Sequence, residues 1–207
     1  RRCISNHKKQ IMYSQNLEQQ YITEYFKDKV GKFIDIGAFH VSQLSNTKRL
    51  VELGWSGVLV EADPKNFNPI AEFYKDNENI TVLNFAVGTS NEVLTFFSSN
   101  GDAVSTSDIS HKTKWEKGGG INYTEITVQQ VNIIDFLNEY GKDCDFISID
   151  TEATNMQIFR NIPDWFFEQI SMICIEHDES IDEIQARLHK FGFNTNYINA
   201  ENIILSK

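Results

Sequence analysis

The period of apolar positions changes along the chain, and each change predicts an element. Between residues 15 and 29, Leu17, Tyr21 and Tyr25 recur at i, i+4 and i+8, with Ile22 and Phe26 beside them. That spacing predicts an amphipathic helix, stopped by Gly31. Residues 33–36 form a short apolar strand that runs into Gly37-Ala38. A helix is expected at 45–53, burying Leu44, Thr47, Leu50 and Val51 and ending at Gly54. Residues 57–61 are continuously apolar up to Glu61, as parallel strands covered on both faces tend to be. Asp63 as N-cap and Pro64 at the first helical position open a helix through Phe67, Ile70 and Phe73 to about residue 76. Residues 80–87 read as the third strand.

Beyond this point the alternation is interrupted. Residues 93–97 and 124–131 look like added strands, separated by a polar loop at 98–122 that carries Trp115 and Gly118-Gly119-Gly120. A connection of that length is expected to be a lid over the acceptor site. Asn132 with Asp135 opens a helix to Tyr140, closed by Gly141. Apolar strands follow at 145–150 and 170–176. Ser180 with Glu183 forms a better capping box, starting a helix that turns Ile181, Ile184 and Leu188 inward and ends at Gly192. Strands at 193–197 and 202–205, joined by a short turn, predict an antiparallel edge. Strands alternating with helices imply an α/β fold: a Rossmann-like, mostly parallel, doubly wound sheet with an antiparallel C-terminal edge. No repeat or linker is visible, so residues 1–207 read as one domain.

Composition narrows the partners. The net charge is -10, with 19 Lys and Arg against 29 Asp and Glu, too few cations to neutralise a phosphate backbone. A nucleic-acid partner is therefore not expected. Cys3, Cys144 and Cys174 have no paired spacing, which argues against a disulfide framework and against zinc, and Cys174 reads as core. No apolar run reaches the ~18 residues of a membrane span, and no apolar N-terminal signal region is visible. The expected setting is the reducing cytoplasm, with no membrane partner. His7, His111 and His189 read as surface residues.

In open α/β sheets, ligands bind outside the carboxyl ends of the strands where strand order reverses. Those ends here are rich in acids: Asp35, Glu61, Asp150 with Glu152, and Glu176 with His177 and Asp178. Glu61 follows Asp35 by 26 positions, near the spacing at which an acid takes the ribose hydroxyls of a nucleotide cofactor. A dinucleotide would ask for Gly-x-Gly-x-x-Gly, so that pyrophosphate meets bare backbone. Residues 35–42 offer one glycine and an acid on the strand itself. A cofactor with an ammonium and a sulfonium and no phosphate accounts for both. A nicotinamide-dependent oxidoreductase is the alternative, and the missing glycines argue against it.

The stretch Phe33-Ile34-Asp35-Ile36-Gly37-Ala38, then Leu44-Ser45-Asn46-Thr47 and Gly54-Trp55-Ser56-Gly57-Val58-Leu59-Val60-Glu61, closely resembles the FkbM-type methyltransferase family. So do Ser105-Thr106, Asp150-Thr151-Glu152 and Ile175-Glu176-His177. The resemblance implies a class I methyltransferase fold, S-adenosylmethionine as donor, and O-methylation of a hydroxyl on a sugar or small polar metabolite. Two departures stand out. Val41 replaces a usual glycine, where it would crowd the methionine part of the cofactor. Ala153, Thr154 and Asn155 replace a usual Gly followed by another acid. A non-catalytic descendant that keeps cofactor binding is the reading these departures motivate.

Asp35 and Gly37 are expected to shape the methionine pocket, with Ala38, His40 and Ala62 on the same strand-end loops. Ser45 and Asn46 either bond cofactor groups or act as plain N-caps. Ala86 is expected to line the adenine slot. Asp150 and Glu152 lie where donor and acceptor meet. His177 is the first candidate for general base and His40 the second. Asp150 or Glu152 could serve instead, or could hold a divalent metal, a reading not favoured.

Overall fold

The computed structural model describes residues 11–207, and structural statements below concern these; Cys3 and His7 lie outside them. The central sheet has seven strands: β1 (Lys32–Ile36), β2 (Ser56–Val60), β3 (Ile80–Leu83), β7 (Phe146–Ile149), β8 (Met172–Glu176), β9 (Asn194–Ile198) and β10 (Asn202–Ser206). Their order is β3-β2-β1-β7-β8-β10-β9. The first five run parallel, and β10 is antiparallel to both β8 and β9. The expected doubly wound sheet with an antiparallel edge is what forms. Strand order reverses between β1 and β7, which makes the gap above them the natural ligand site.

Successive residues of these strands face opposite sides, and both sides are covered. Ile34, Ile36, Ile147, Ile149, Ile173 and Ile175 join one core with α5 (Ile133–Tyr140), α6 (Asn155–Asn161), α7 (Asp164–Gln169) and α8 (Ile181–Leu188). Phe33, Leu59, Phe146 and Cys174 join the other with α1 (Glu18–Phe26), α2 (Lys48–Glu52) and α3 (Pro64–Tyr74). Trp55 is buried on that second face, edge-on to Phe26 at 4.7 Å, with its Nε1 donating to the Lys29 carbonyl.

Several helix signals act as expected. Asp63 caps α3 through the Lys65 N–H, and Asn132 caps α5 through the Ile134 N–H. Others give way to tertiary contacts. The first helix is shorter than the 15–29 reading and turns Ile22 and Phe26 inward, while Leu17 stays exposed. It ends at Lys27, with φ +50°, rather than at Gly31. Leu44 is exposed and precedes a five-residue α2. Phe73 is exposed and Tyr74 takes the buried place in α3. Ser180 makes no side-chain cap bond; its hydroxyl donates to the Asp178 carbonyl at 3.2 Å, and Glu183 pairs with the Arg160 guanidinium at 2.6 and 2.7 Å.

The expected third strand is two. It breaks after Leu83, and β4 (Ala86–Gly88) leaves the central sheet to pair with β6 (Thr124–Asn132), which also pairs antiparallel with β5 (Glu92–Ser98). The segment read as a polar loop holds a helix, α4 (Ile109–Gly118), capped by Asp108. No residue of α4 is buried, so no apolar stripe marks it in the sequence. The helices α6 and α7, seven and six residues long and parted by Pro163, are also absent from the sequence reading.

Candidate functional site

A cleft of about 580 Å³ opens at the strand-order reversal. Gly37, Glu61, Ala62, Ala86, Asp150 and Glu152 all line it, so six of the expected site residues are brought together. Phe39, Phe85 and Phe96 add aromatic walls that sequence reasoning did not assign.

Gly37 sits at φ +89°. A Cβ there would lie 1.6 Å from the Asp150 carbonyl oxygen. Both the left-handed conformation and the close approach of β1 to β7 therefore demand glycine. The loop beyond it is held by Glu61. One Glu61 oxygen accepts from the Phe39 N–H at 2.8 Å and the other from the Asp63 N–H at 2.7 Å. Burial pushes the Glu61 carboxyl up to about 7, against those two amides, with Asp63 and Asp35 adding repulsion.

Asp35 does not line the cleft; it lies under it. Its carboxylate accepts from the Thr47 hydroxyl at 2.6 Å, and burial lifts it to about 6 although the Thr47 and Ser148 hydroxyls oppose the shift. Asn46 donates to the Ser148 hydroxyl at 3.1 Å in the same buried network. Ser45 accepts from the Lys48 N–H at 3.0 Å, in the turn that leads into α2, whose N-cap position is Thr47. Ala38 is core. His40 uses Nδ1 to accept from the Ser42 and Gln43 N–H groups and folds its own loop. Ala38, His40, Ser45 and Asn46 thus shape the loop after β1 without lining the cleft. Val41 packs against the second core and is not among the residues that line the cleft.

Acids crowd the far wall. Asp150 is raised well above the usual carboxylate range by burial, then by Glu176, Glu152 and Asp35. Glu176 is pushed to about 7 by burial, with Glu152 and Asp178 adding to it. Asn155, fully buried, donates to Glu176 at 2.6 Å and accepts from the Thr151 N–H at 2.7 Å. An acid at this position would bring one more negative charge against Glu176, and the amide instead bridges the two strand ends. Glu152 and Ala153 have φ +54° and +80°, and Asp178 and Glu179 +45° and +58°. Paired left-handed residues at both strand ends are costly and typical of functional loops.

His177 does not line this cleft; it is 7% exposed and lines a second one beside it. Its Nδ1 accepts from the Glu179 N–H, which places the proton on Nε2 facing the Asn199 carbonyl at 3.2 Å. Both ring nitrogens are spent on backbone. His111, read as a surface residue, instead meets the site: its Nε2 lies 3.1 Å from the Glu152 carboxylate, with the imidazole 13% exposed. Ser105 and Thr106 anchor the segment that carries it. Ser105 donates to Asp63 at 2.8 Å, and Thr106 donates to the Glu152 carbonyl at 2.7 Å and bridges to Phe97.

A second cleft, open and of about 1020 Å³, lies on the other side of Glu152, lined by Asp108, His111, Lys114, Glu176, Asp178 and Glu201 among others. No group of three or more His, Cys, Asp or Glu among the described residues is arranged to hold a metal ion.

The model of the methyltransferase FkbM domain matches residues 35–199, from within β1 to the turn after β9. The chain belongs to the FkbM methyltransferase family. S-adenosylmethionine is its cofactor, and the oxidoreductase alternative falls. The crystal structure of methyltransferase FkbM from Methylobacillus flagellatus is similar at TM-score 0.55 and 14% identity, over 90% of this chain and 48% of that one. Precorrin-6y C5,15-methyltransferase from Geobacter metallireducens gives 0.49 and 12%, over 96% and 93%. A putative tRNA (m1A22) methyltransferase from Streptococcus pneumoniae, in complex with S-adenosyl-L-methionine, gives 0.49 and 13%, over 91% and 71%. No curated protein matches the chain. No helix among the described residues is long and apolar enough to cross a membrane.

Proposed function

We propose that this FkbM methyltransferase transfers a methyl group to a hydroxyl of a sugar, glycan or small polar metabolite, with the cofactor in the first cleft. The observation that carries the reading is Glu61: a buried carboxylate at the end of β2, aimed into a cleft whose floor is bare backbone at Gly37. A carboxylate there suits the ribose diol, since it can accept from both hydroxyls while keeping its two loop amides. Gly37 would let the amino-acid part lie against backbone, and Ala86 with Phe85 and Phe96 would enclose the adenine. The cofactor supplies an electrophilic methyl carbon on a sulfonium.

The chain's part is alignment and charge. Displacement at carbon needs acceptor, methyl and sulfur in line, so a rigid floor contributes rate through orientation. Asp150 and Glu152 line the first cleft, where the positive sulfonium would meet them, and the second cleft, which meets it at the Glu152–His111 contact, receives the acceptor. Its acid-rich lining repels phosphate and favours neutral polyhydroxyl compounds over nucleic acid. Isothermal titration with S-adenosylhomocysteine is the test. Binding should weaken by ~1–3 kcal/mol in Glu61→Ala, from loss of charge-assisted hydrogen bonds. Unchanged affinity would remove Glu61 from the site.

A further inference from the structure

We infer that His111 is a catalytic residue, the group that takes the acceptor hydroxyl's proton, and that Glu152 positions it; this rests on the O-methylation reading above. Three observations converge on it. Glu152 lines the first cleft while His111 lines the second, and the two side chains meet at 3.1 Å, so the pair forms the partition between them. The contact is made through Nε2, a buried atom within ion-pair distance of Glu152 that has no hydrogen-bond partner among the described residues, so the carboxylate is the group it faces. The opposite nitrogen, Nδ1, makes no hydrogen bond among those residues, and it sits on a ring that lines the acceptor cleft. A base needs this arrangement: one nitrogen bearing hydrogen beside a carboxylate, the other free toward the substrate.

His111 is also held firmly for a residue on an exposed helix. Its backbone N–H closes the α4 cap on Asp108 at 2.7 Å. The same segment is tied to Glu152 a second time, by the Thr106 hydroxyl on the Glu152 carbonyl. Lys112 stacks over the Phe97 ring at 5.3 Å. The start of α4 is thus fixed to the very loop that carries the positioning carboxylate. His177 also lines the second cleft, but both of its ring nitrogens face backbone groups, the Glu179 N–H and the Asn199 carbonyl.

The step balances without any further reactant. A bond forms between the acceptor oxygen and the methyl carbon as the carbon–sulfur bond breaks, and that electron pair goes to sulfur. The hydroxyl proton passes to His111 Nδ1. The imidazolium left behind faces the Glu152 carboxylate and loses its proton to water across the open second cleft.

Nitrogen-15 NMR of histidine side chains in the whole chain, saturated with S-adenosylhomocysteine, tests the geometry without any acceptor. The neutral His111 ring should carry its hydrogen on Nε2, and Glu152→Ala should release it to a mixture of tautomers. A ring protonated at Nδ1 in the wild-type chain overturns the proposal. Labelled-methyl transfer to methyl α-glucopyranoside, myo-inositol and glycerol tests the chemistry. His111→Gln should lose ~100-fold or more in kcat, with S-adenosylhomocysteine affinity within about twofold of wild type, and imidazole should restore part of the rate to His111→Ala. Full transfer by His111→Gln overturns the proposal as well. Failure of the wild-type chain to bind S-adenosylhomocysteine would instead count against the cofactor reading of the first cleft.

Discussion

Replacing Glu61 by glutamine should change how the stability of the ligand-free protein depends on pH. The glutamate carboxyl is raised from 4.5 to about 7 by burial. An unfolded chain loses this proton near 4.5, whereas the folded chain keeps it to about 7. Between those values the folded state binds more protons, so stability is highest below the window, falls as pH rises through it, and is flat above it. At ~1.4 kcal/mol per pH unit, the fall attributable to Glu61 is at most roughly 3.5 kcal/mol. Asp35, raised to about 6, and Glu176, raised to about 7, add falls of the same sign. Urea unfolding from pH 4.5 to 8 should therefore show a steep decline in wild type and a shallower one in Glu61→Gln. The glutamine will cost some stability at every pH, because its amide nitrogen cannot accept from Phe39 or Asp63 as the second oxygen does. The slope, not the level, is the reading. An identical slope in the two proteins would refute a buried, proton-holding Glu61.

Gly37→Ala should be among the most damaging single changes. It combines a left-handed φ with a 1.6 Å approach to the Asp150 carbonyl, and strain plus overpacking sum to ~2–5 kcal/mol; thermal unfolding by circular dichroism should fall by about 5–15 °C, and a fall under about 2 °C would mean that β1 and β7 can separate there. Ala153→Gly should do the reverse. Ala153 holds φ +80°, so glycine relieves roughly 1 kcal/mol of backbone strain, less what it costs in unfolded-chain entropy; a lower melting temperature in this variant would contradict the geometry. Asn155→Asp should destabilise the ligand-free protein at pH 8 more than at pH 5, since it puts a further carboxylate against Glu176 and Asp178, and equal losses at both pH values would argue that the two strand ends are further apart.

How much could be read in advance depended on whether a residue's partner was local. Asp63-Pro64 and Asn132 announce α3 and α5 because a cap bonds an amide two residues away. Val58, Leu59 and Val60 announce a central strand because both faces are covered. The break at Leu83, by contrast, is decided by β6, some 40 residues later in the chain, which takes β4 into its own sheet. The helix α4 buries none of its residues, so it leaves no periodic trace. In the site, Gly37 and Glu61 were legible because their roles follow from strand position. The surroundings of His111 and His177 were not legible, because nothing near either in sequence reveals what its ring nitrogens meet. Glu152 lies 41 positions from His111, and the Asn199 carbonyl that occupies His177 belongs to the β9–β10 turn.

Gly37 has a consequence beyond local fit. With no side chain between them, the ends of β1 and β7 share a common wall, so the loop after β1 and the Asp150–Glu152 acids cannot drift apart independently. A displacement reaction tolerates little slack along its axis. On the function proposed above, the absent methyl group acts as a fixed spacer, setting the separation between donor loop and acceptor-side acids before either small molecule arrives. Under that proposal, changes of acceptor fall to α4 and the loop after β8, at the outer rim, while the length of the transfer path stays the same.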